Sequence, residues 1–320
     1  MPSPTTVTVS ALDGGHLTLP ENLFIASAPP TTRTTVPSLS FLIHHAPTST
    51  RLLFDLGLKR DLAAYAPAQQ HHIDQRRPLT TAPDVAASLR AGHLDPAAAI
   101  TAVLLSHVHW DHVGTPADFP RATFVVGPGT LDVLARGAGP LYPAAIFNAD
   151  ELPLDRTLEL PPVLGGAADE GAPGGARVRA APEEKRTGHA WVRLGGFEAA
   201  IDYFGDGSLW VVDAPGHLYG HVNVLARVGE RRWVYLGGDC CHDPRILAGE
   251  KGIALYDDGK GGLRSVHVDT EQARATLDRI GEFLSEGRVG GEEAAEVEVV
   301  VAHDKKWREG NGHRFFPGHL

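Results

Sequence analysis

The run Leu104-Leu105-Ser106-His107-Val108-His109-Trp110-Asp111-His112 constrains this chain more than any other, because an apolar stretch stops abruptly at three histidines and one carboxylate within six residues. Ile100 to Leu105 reads as a short buried strand, bounded before by Asp95-Pro96 and after by polar residues. Along an extended chain His107 and His109 project the same way, since side chains alternate with a period of two. Asp111 and His112 then fall on the following turn and can face the same spot from another side. Neutral imidazole combined with carboxylate suits Zn, Fe, Mn or Co. For any single histidine a surface loop is the better reading; H-x-H-x-D-H directly after a buried strand points to a metal site.

His107-x-His109-x-Asp111-His112 resembles the signature of the metallo-β-lactamase fold, and further stretches extend the resemblance. Asp213-Ala214-Pro215-Gly216-His217-Leu218-Tyr219-Gly220-His221 is similar to that family's P-G-H-x-x-G-H segment, Leu236-Gly237-Gly238-Asp239 to the strand ending in its bridging Asp, and Val299 to Asp304 to its last strand, ending in His303. The resemblance implies an α/β fold, a four-layered αββα sandwich with two metal ions at one edge, formed as one domain over residues 1–320. It implies His107, His109 and His217 on the first ion, Asp111, His112 and His303 on the second, and Asp239 between them. The ions are divalent transition metals, zinc first, with Fe, Mn or Co as alternatives. Asp55, in the strand exit Asp55-Leu56-Gly57, either supports the ligands from behind or is an ordinary strand-end turn residue.

The remaining chain alternates strands and helices. Val7-Thr8-Val9 is a first strand and Asp13-Gly14-Gly15 a turn; Phe41–Ile43 and Leu52–Phe54 form a hairpin. Residues 58–77 show no periodicity, and His71-His72 either line an entrance or sit in solvent. Pro83 to Arg90 predicts a short helix stopped by Gly92, and Thr130 is expected to cap another carrying Leu131 and Leu134. Leu141 to Phe147 is a pocket wall or a plain packed loop, and the Gly-, Ala-, Pro- and Glu-rich stretch at about 165–186 is expected to be a mobile loop or insertion. Hairpins are predicted around Gly205-Asp206-Gly207-Ser208 and Gly229-Glu230-Arg231. Asp269 begins a helix whose Ala273, Leu277, Ile280 and Leu284 share a face and which Gly287 ends.

The bulk properties narrow the partners. A formal net charge of -10, with no basic run, argues against nucleic acid. No signal-like segment or bilayer-length apolar run is visible, and the neighbouring Cys240 and Cys241 staple nothing, so a cytoplasmic monomer or homodimer acting on a small molecule, without a membrane partner, is expected.

Two bound cations acidify water and polarise a carbonyl, which suits hydrolysis of esters, thioesters, lactones, amides or phosphodiesters. The arrangement is most similar to the lactonase branch, implying a lactone with an apolar or aromatic substituent opened by a hydroxide held between the metals; an acyl thioesterase of the polyketide or glyoxalase II type is the alternative. Asp111, His242 and Tyr219 are the candidate catalytic residues beside the ligands. His242 stands three residues after Asp239, where lactonases of this fold carry a Tyr. Trp110, Leu218, Phe315 and Phe316 are candidates for apolar substrate contacts, and Lys305-Lys306 for an anionic tail.

Overall fold

Two six-stranded sheets face each other. The first contains β1 (Thr8–Pro20), β2 (Arg33–His45), β3 (Thr50–Phe54), β4 (Ala102–Leu104), β5 (Thr123–Val126) and β6 (Thr157–Glu159), hydrogen-bonded in that order. The second contains β7 (Val192–Leu194), β8 (Phe197–Asp202), β9 (Leu209–Asp213), β10 (Val222–Arg227), β11 (Arg232–Leu236) and β12 (Glu296–Val300), with β12 beside β11 at one edge and β7 at the other. This computed structural model describes residues 3–139, 142–147, 152–169, 178–294 and 296–320.

Alternation along the strands sorts the apolar side chains into three clusters, and these define the layers. Leu52, Phe54, Leu104 and Val125 of the first sheet meet Val211, Val224, Val234 and Val300 of the second in the central seam. The opposite residues of the same strands, Leu53, Val103 and Phe124, pack outward under α2 (Val85–Ala91) and α3 (Thr130–Arg136), through Val85, Leu89, Val133 and Leu134. On the far side Phe197, Val212, Leu225 and Tyr235 lie under α4 (Thr270–Glu286), against Ala273, Ile280 and Phe283. Burying both faces of both sheets gives the αββα order expected from the resemblance. Asp269 caps α4 by accepting from Glu271 N at 3.1 Å and Gln272 N at 3.0 Å, and Gly287 ends it in the left-handed conformation with φ 61. Its fully buried stripe is Ala273, Thr276, Ile280 and Phe283; Leu277 and Leu284 flank it and are only partly buried.

Several local expectations are corrected. Asp13-Gly14-Gly15 is no turn but an irregularity inside the thirteen-residue β1, where the register with β2 shifts between Asp13 and His16. Missing side chains are needed there for packing rather than for reversal: a Cβ on Gly14 would lie 2.5 Å from Ser38 O and 2.8 Å from Gly57 Cα. Thr130 is the first residue inside α3, and Gly129, with φ 81, takes the cap position. The aperiodic stretch contains α1 (Pro67–Gln75), which lies before α2 and is placed by tertiary contacts: Gln69 Nε2 donates to Ile146 O at 3.1 Å, and Thr18 N donates to Arg76 O at 2.8 Å. Of the expected loop at about 165–186, residues 170–177 lie outside the described residues; Ala168, Val178 and Ala181 beside them are buried. Leu141 also lies outside the described residues.

Strand direction gathers the motifs. β3 and β4 are parallel, β9 and β11 both run antiparallel to β10, and β12 runs parallel to β11. Asp55 therefore leaves β3, His107 to His112 follow β4, and His217, Asp239 and His303 follow β9, β11 and β12, all at one end of the sandwich. Backbone bonds join the two sheets there, Val222 N donating to Ser106 O at 2.9 Å and Leu39 N to Ala302 O at 2.9 Å, while Ala302 N donates to Gly238 O at 3.0 Å within the second sheet.

Candidate metal centre

His107 Nε2 and His109 Nδ1 lie 2.9 Å apart, His109 Nδ1 and His217 Nε2 2.9 Å, and His217 Nε2 and His107 Nε2 3.2 Å. Asp239 Oδ2 completes the group at 3.4 Å from His217 Nε2 and 3.9 Å from His107 Nε2. Four donors around one ion at bonds of about 2.0–2.1 Å would be separated by about 3.3 Å, so this cage has the size of a single tetrahedral site. The other oxygen of the same carboxylate, Oδ1, lies 3.2 Å from His112 Nε2 and 3.3 Å from His303 Nε2, and Asp111 Oδ2 lies 3.7 Å from His303 Nε2. Asp239 thus turns one oxygen to each of two donor sets. His112 Nε2 and Asp239 Oδ1 are buried with no hydrogen-bond partner, which a protein tolerates only where something else meets them. The structure brings together all seven residues expected as ligands, and their donor chemistry fits two metal ions.

Behind the donors, hydrogen bonds set which ring nitrogen keeps its lone pair. Ser106 Oγ donates to Asp55 Oδ2 at 2.7 Å and so accepts from His107 Nδ1–H at 2.9 Å, leaving Nε2 bare. His112 Nδ1–H donates to Asp55 Oδ2 at 2.8 Å, and His303 Nδ1–H to Pro37 O at 2.8 Å. Asp55, with φ 61, therefore supports two of the histidines expected as ligands rather than being an ordinary turn residue. For His217 the partner is another histidine, His267, whose Nδ1 is 3.1 Å from His217 Nδ1. His221 fixes Asp239: its Nδ1–H donates to Ala214 O at 3.0 Å and its Nε2 accepts from Asp239 N at 3.1 Å. Gly238, with φ 48, makes that turn possible, since a Cβ there would meet Ser106 Cβ at 2.9 Å.

Burial holds His107, His217 and His267 well below the ordinary histidine pKa, and lowers His109 and His221 to about 4. His112 goes the other way: burial opposes its charged form, but Asp239 and Asp55 outweigh that and hold its pKa well above the ordinary value. Burial likewise opposes the charge on Asp239, and His112, His303 and His242 overcome it, keeping the carboxyl ionised. Most of the donor set is thus in the unprotonated form that binds cations.

A cavity of ≈ 210 Å³ opens over the donors, lined by His109, Asp111, His217, Asp239 and His303 together with apolar side chains including Phe24, Trp110 and Ile146. His242 lines it too, with Nε2 3.1 Å from Asp239 Oδ2 and its ring 4.6 Å from that of Phe24. His242 and His303 also line a larger neighbouring groove that Lys305 and Lys306 border. Of the entrance pair, His72 lines the cavity and His71 is exposed. Tyr142 and Ile146 form part of its wall.

Other expected contacts are displaced. Tyr219 is buried at 8% exposure in the cluster under α2 and α3, with Leu218, and does not line the cavity, because the left-handed Gly220 turns the chain back toward Ala214. Phe315 packs on Trp307, ring centroids 6.3 Å apart, and Phe316 covers Gly92, and neither lines the cavity. Trp110 does reach the cavity. Sequence reading missed His267, Arg76 and Arg264; the second histidine of the His217–His221 segment was the one signal that a supporting imidazole was present.

A scan against protein-family models found no match. The solved structure of a quorum-quenching N-acyl homoserine lactone lactonase has TM-score 0.64 at 14% identity, covering 100% of both chains. AidC, a dizinc quorum-quenching lactonase, has TM-score 0.55 at 13% identity over 94% of this chain and 88% of its own. This chain has the metallo-β-lactamase fold. Among curated proteins, metallo-hydrolase mfmC of Annulohypoxylon moriforme is 36% identical over 217 residues, 66% of this chain and 50% of its own length. Gamma-lactamase FDB1 of Fusarium pseudograminearum is 30% identical over 219 residues, 64% and 45% respectively. Cytochrome P450 monooxygenase mpaDE' of Penicillium brevicompactum is 31% identical over 319 residues, 95% of this chain and 34% of its length. The chain therefore spans between about a third and a half of these curated relatives. No helix among the described residues is long and apolar enough to cross a membrane.

Proposed function

We propose that this chain is a dinuclear metal-dependent hydrolase, zinc-loaded, that opens a lactone carrying an apolar or aromatic substituent. The observation that carries this reading is the division of Asp239 between two donor sets at the floor of one cavity. The lactonase fold of the solved structures, one of them a dizinc enzyme, supports it. When bound, the two ions would acidify water and polarise the scissile carbonyl.

The protein's own contribution is preparation. His107 already presents a bare Nε2, because Ser106 takes its Nδ1 proton, and Asp55 and Pro37 orient His112 and His303 by accepting their Nδ1–H groups so that Nε2 faces the donor sets. Phe24, Trp110 and Ile146 give the cavity an apolar wall, which receives the substituent. His242 stands at the wall, against Asp239, where an imidazole can hand a proton to a departing oxygen. A γ-lactam is the second reading, favoured by the similarity to a protein named as a gamma-lactamase.

The test is a panel of aryl and acyl lactones, γ-lactams, acyl thioesters and phosphodiesters given to zinc-loaded and chelated protein, read by proton release and thiol capture. Lactone opening that vanishes on chelation and returns with zinc is expected. Undiminished hydrolysis by metal-free protein, or activity confined to phosphodiesters, overturns the proposal.

A further inference from the structure

We propose that the cavity over the donor cluster is built for a ligand carrying a carboxylate, held by Arg76 and Arg264 away from the bond to be cleaved. As a statement about substrate it rests on the reading above. Both arginines line this cavity, on the side formed by α1 and by the short strand pair in which Tyr256 and Arg264 face each other in register. Arg76 follows α1, and its carbonyl accepts from Thr18 N at 2.8 Å, which ties it to β1. Its guanidinium lies 5.3 Å from the ring centroid of Phe24, and Arg264 lies 4.8 Å from that of Tyr256. The heads are thus placed by stacking rather than by ion pairing.

What they lack is an acceptor. Arg76 Nη1 and Arg264 Nε are both buried without a hydrogen-bond partner. Such donors cost stability unless something meets them. The carboxylates lining the cavity are Asp111 and Asp239, both committed to the donor sets. In a chain with a net charge of -10, two arginines share a cavity whose carboxylates, among the described lining residues, are only these two, Asp111 acting electrostatically on Arg76 as well. Burial also draws the Arg76 pKa below its ordinary value, and burial raises that of Tyr256 while both arginines oppose the rise, so the two guanidiniums flank one phenol. A planar carboxylate matches the guanidinium fork, and the apolar wall of Leu17, Leu23 and Phe24 suits a ring or acyl body attached to it.

The experiment uses the zinc-loaded full chain and two probes of similar shape, one charged and one neutral, with benzamide checked for release of ammonia. Calorimetry with benzoate and with neutral benzamide is run on wild type, Arg76→Met, Arg264→Met and the double variant, each checked by thermal unfolding. Arg264→Met carries the test alone if loss of the Arg76–Phe24 stack unfolds the other. Benzoate is expected to bind at least tenfold more tightly than benzamide, and each substitution to remove at least tenfold of benzoate affinity while leaving benzamide unchanged. Equal binding of the two probes by wild type, or benzoate binding undisturbed in the folded variants, overturns the inference and leaves the metals as the only anion site.

Hydrolysis of dihydrocoumarin-6-carboxylate against its 6-carboxamide then separates the two readings. A rise of at least tenfold in KM for the carboxylate alone, with kcat little changed, is expected in the variants. If neither lactone is opened while benzoate binding stays arginine-dependent, the lactonase reading fails and the carboxylate site stands. If both lactones are opened equally and benzoate binding ignores the arginines, the reverse holds.

Discussion

At the scale of single residues, the site depends on where a few protons are parked. Asp55 accepts from Ser106 N at 2.7 Å, from Ser106 Oγ at 2.7 Å and from His112 Nδ1 at 2.8 Å. Asp55→Ala should therefore lower affinity for the second ion about 10–100-fold and destabilise the fold by about 1–3 kcal/mol, measured by metal titration and urea unfolding. Asp239→Ala removes a donor from both sets and should abolish detectable turnover and metal retention together; a variant keeping near-native metal content would contradict the division of its two oxygens. His242→Ala is expected to keep both metals yet lower kcat roughly ten- to a thousand-fold, the range for one acid or oxyanion donor. Full kcat in that variant would reduce His242 to a packing partner of Phe24 and His303.

At the scale of elements, the parts of the chain legible in its sequence are those where one periodic pattern decides the matter. The ligand histidines follow apolar strands, and α4 carries its own cap, stripe and stop, so both appear in the structure close to where the letters put them. What the letters hide is set by contacts between distant segments. The Gly14-Gly15 pair reads locally as a turn, yet it lies within β1 because Gly57 approaches it. Helix α1 has no periodicity of its own and is held by Gln69 and by the tie of Thr18 to Arg76. His267, Arg76 and Arg264 belong to no motif, and only the folded chain shows that they border the donor cavity or its ligands. The close approach at Gly57 is itself testable. Its φ is 68 and a Cβ would lie 2.2 Å from Gly14 O, so Gly57→Ala should cost at least about 2 kcal/mol, with parallel loss of the second metal because Asp55 moves with it; unfolding midpoints and metal content check this.

At the scale of the whole molecule, the metal centre makes folding sensitive to acid. His109 and His221 have pKa values of about 4 in the fold against an ordinary 6.5, so the unfolded chain takes up more protons between those values. Their contribution is present above about pH 6.5 and is lost as pH falls toward 4. His112, with a raised pKa, acts in the opposite sense: its contribution is present below the ordinary value and is lost as pH rises through the folded one. With His107, His217 and His267 also depressed, the first group outnumbers His112, His303 and Asp213, whose pKa values are raised, that of Asp213 by burial to about 7. Chelated protein should thus unfold at lower urea at pH 5 than at pH 7.5. Metal-loaded protein should lose its ions over the same interval, because protons compete for the same nitrogens.

The last donor stands at the end of an edge strand. His303 follows β12, which joins the second sheet beside β11 only, whereas His107, His109, His217 and Asp239 all precede it in the chain. On the ribosome, then, the first cage is spelled out long before the second can close, and residues 240 to 303 must still emerge while one face of Asp239 waits. A nascent chain that ends short of β12 carries the residues of the first donor set and still lacks His303 of the second.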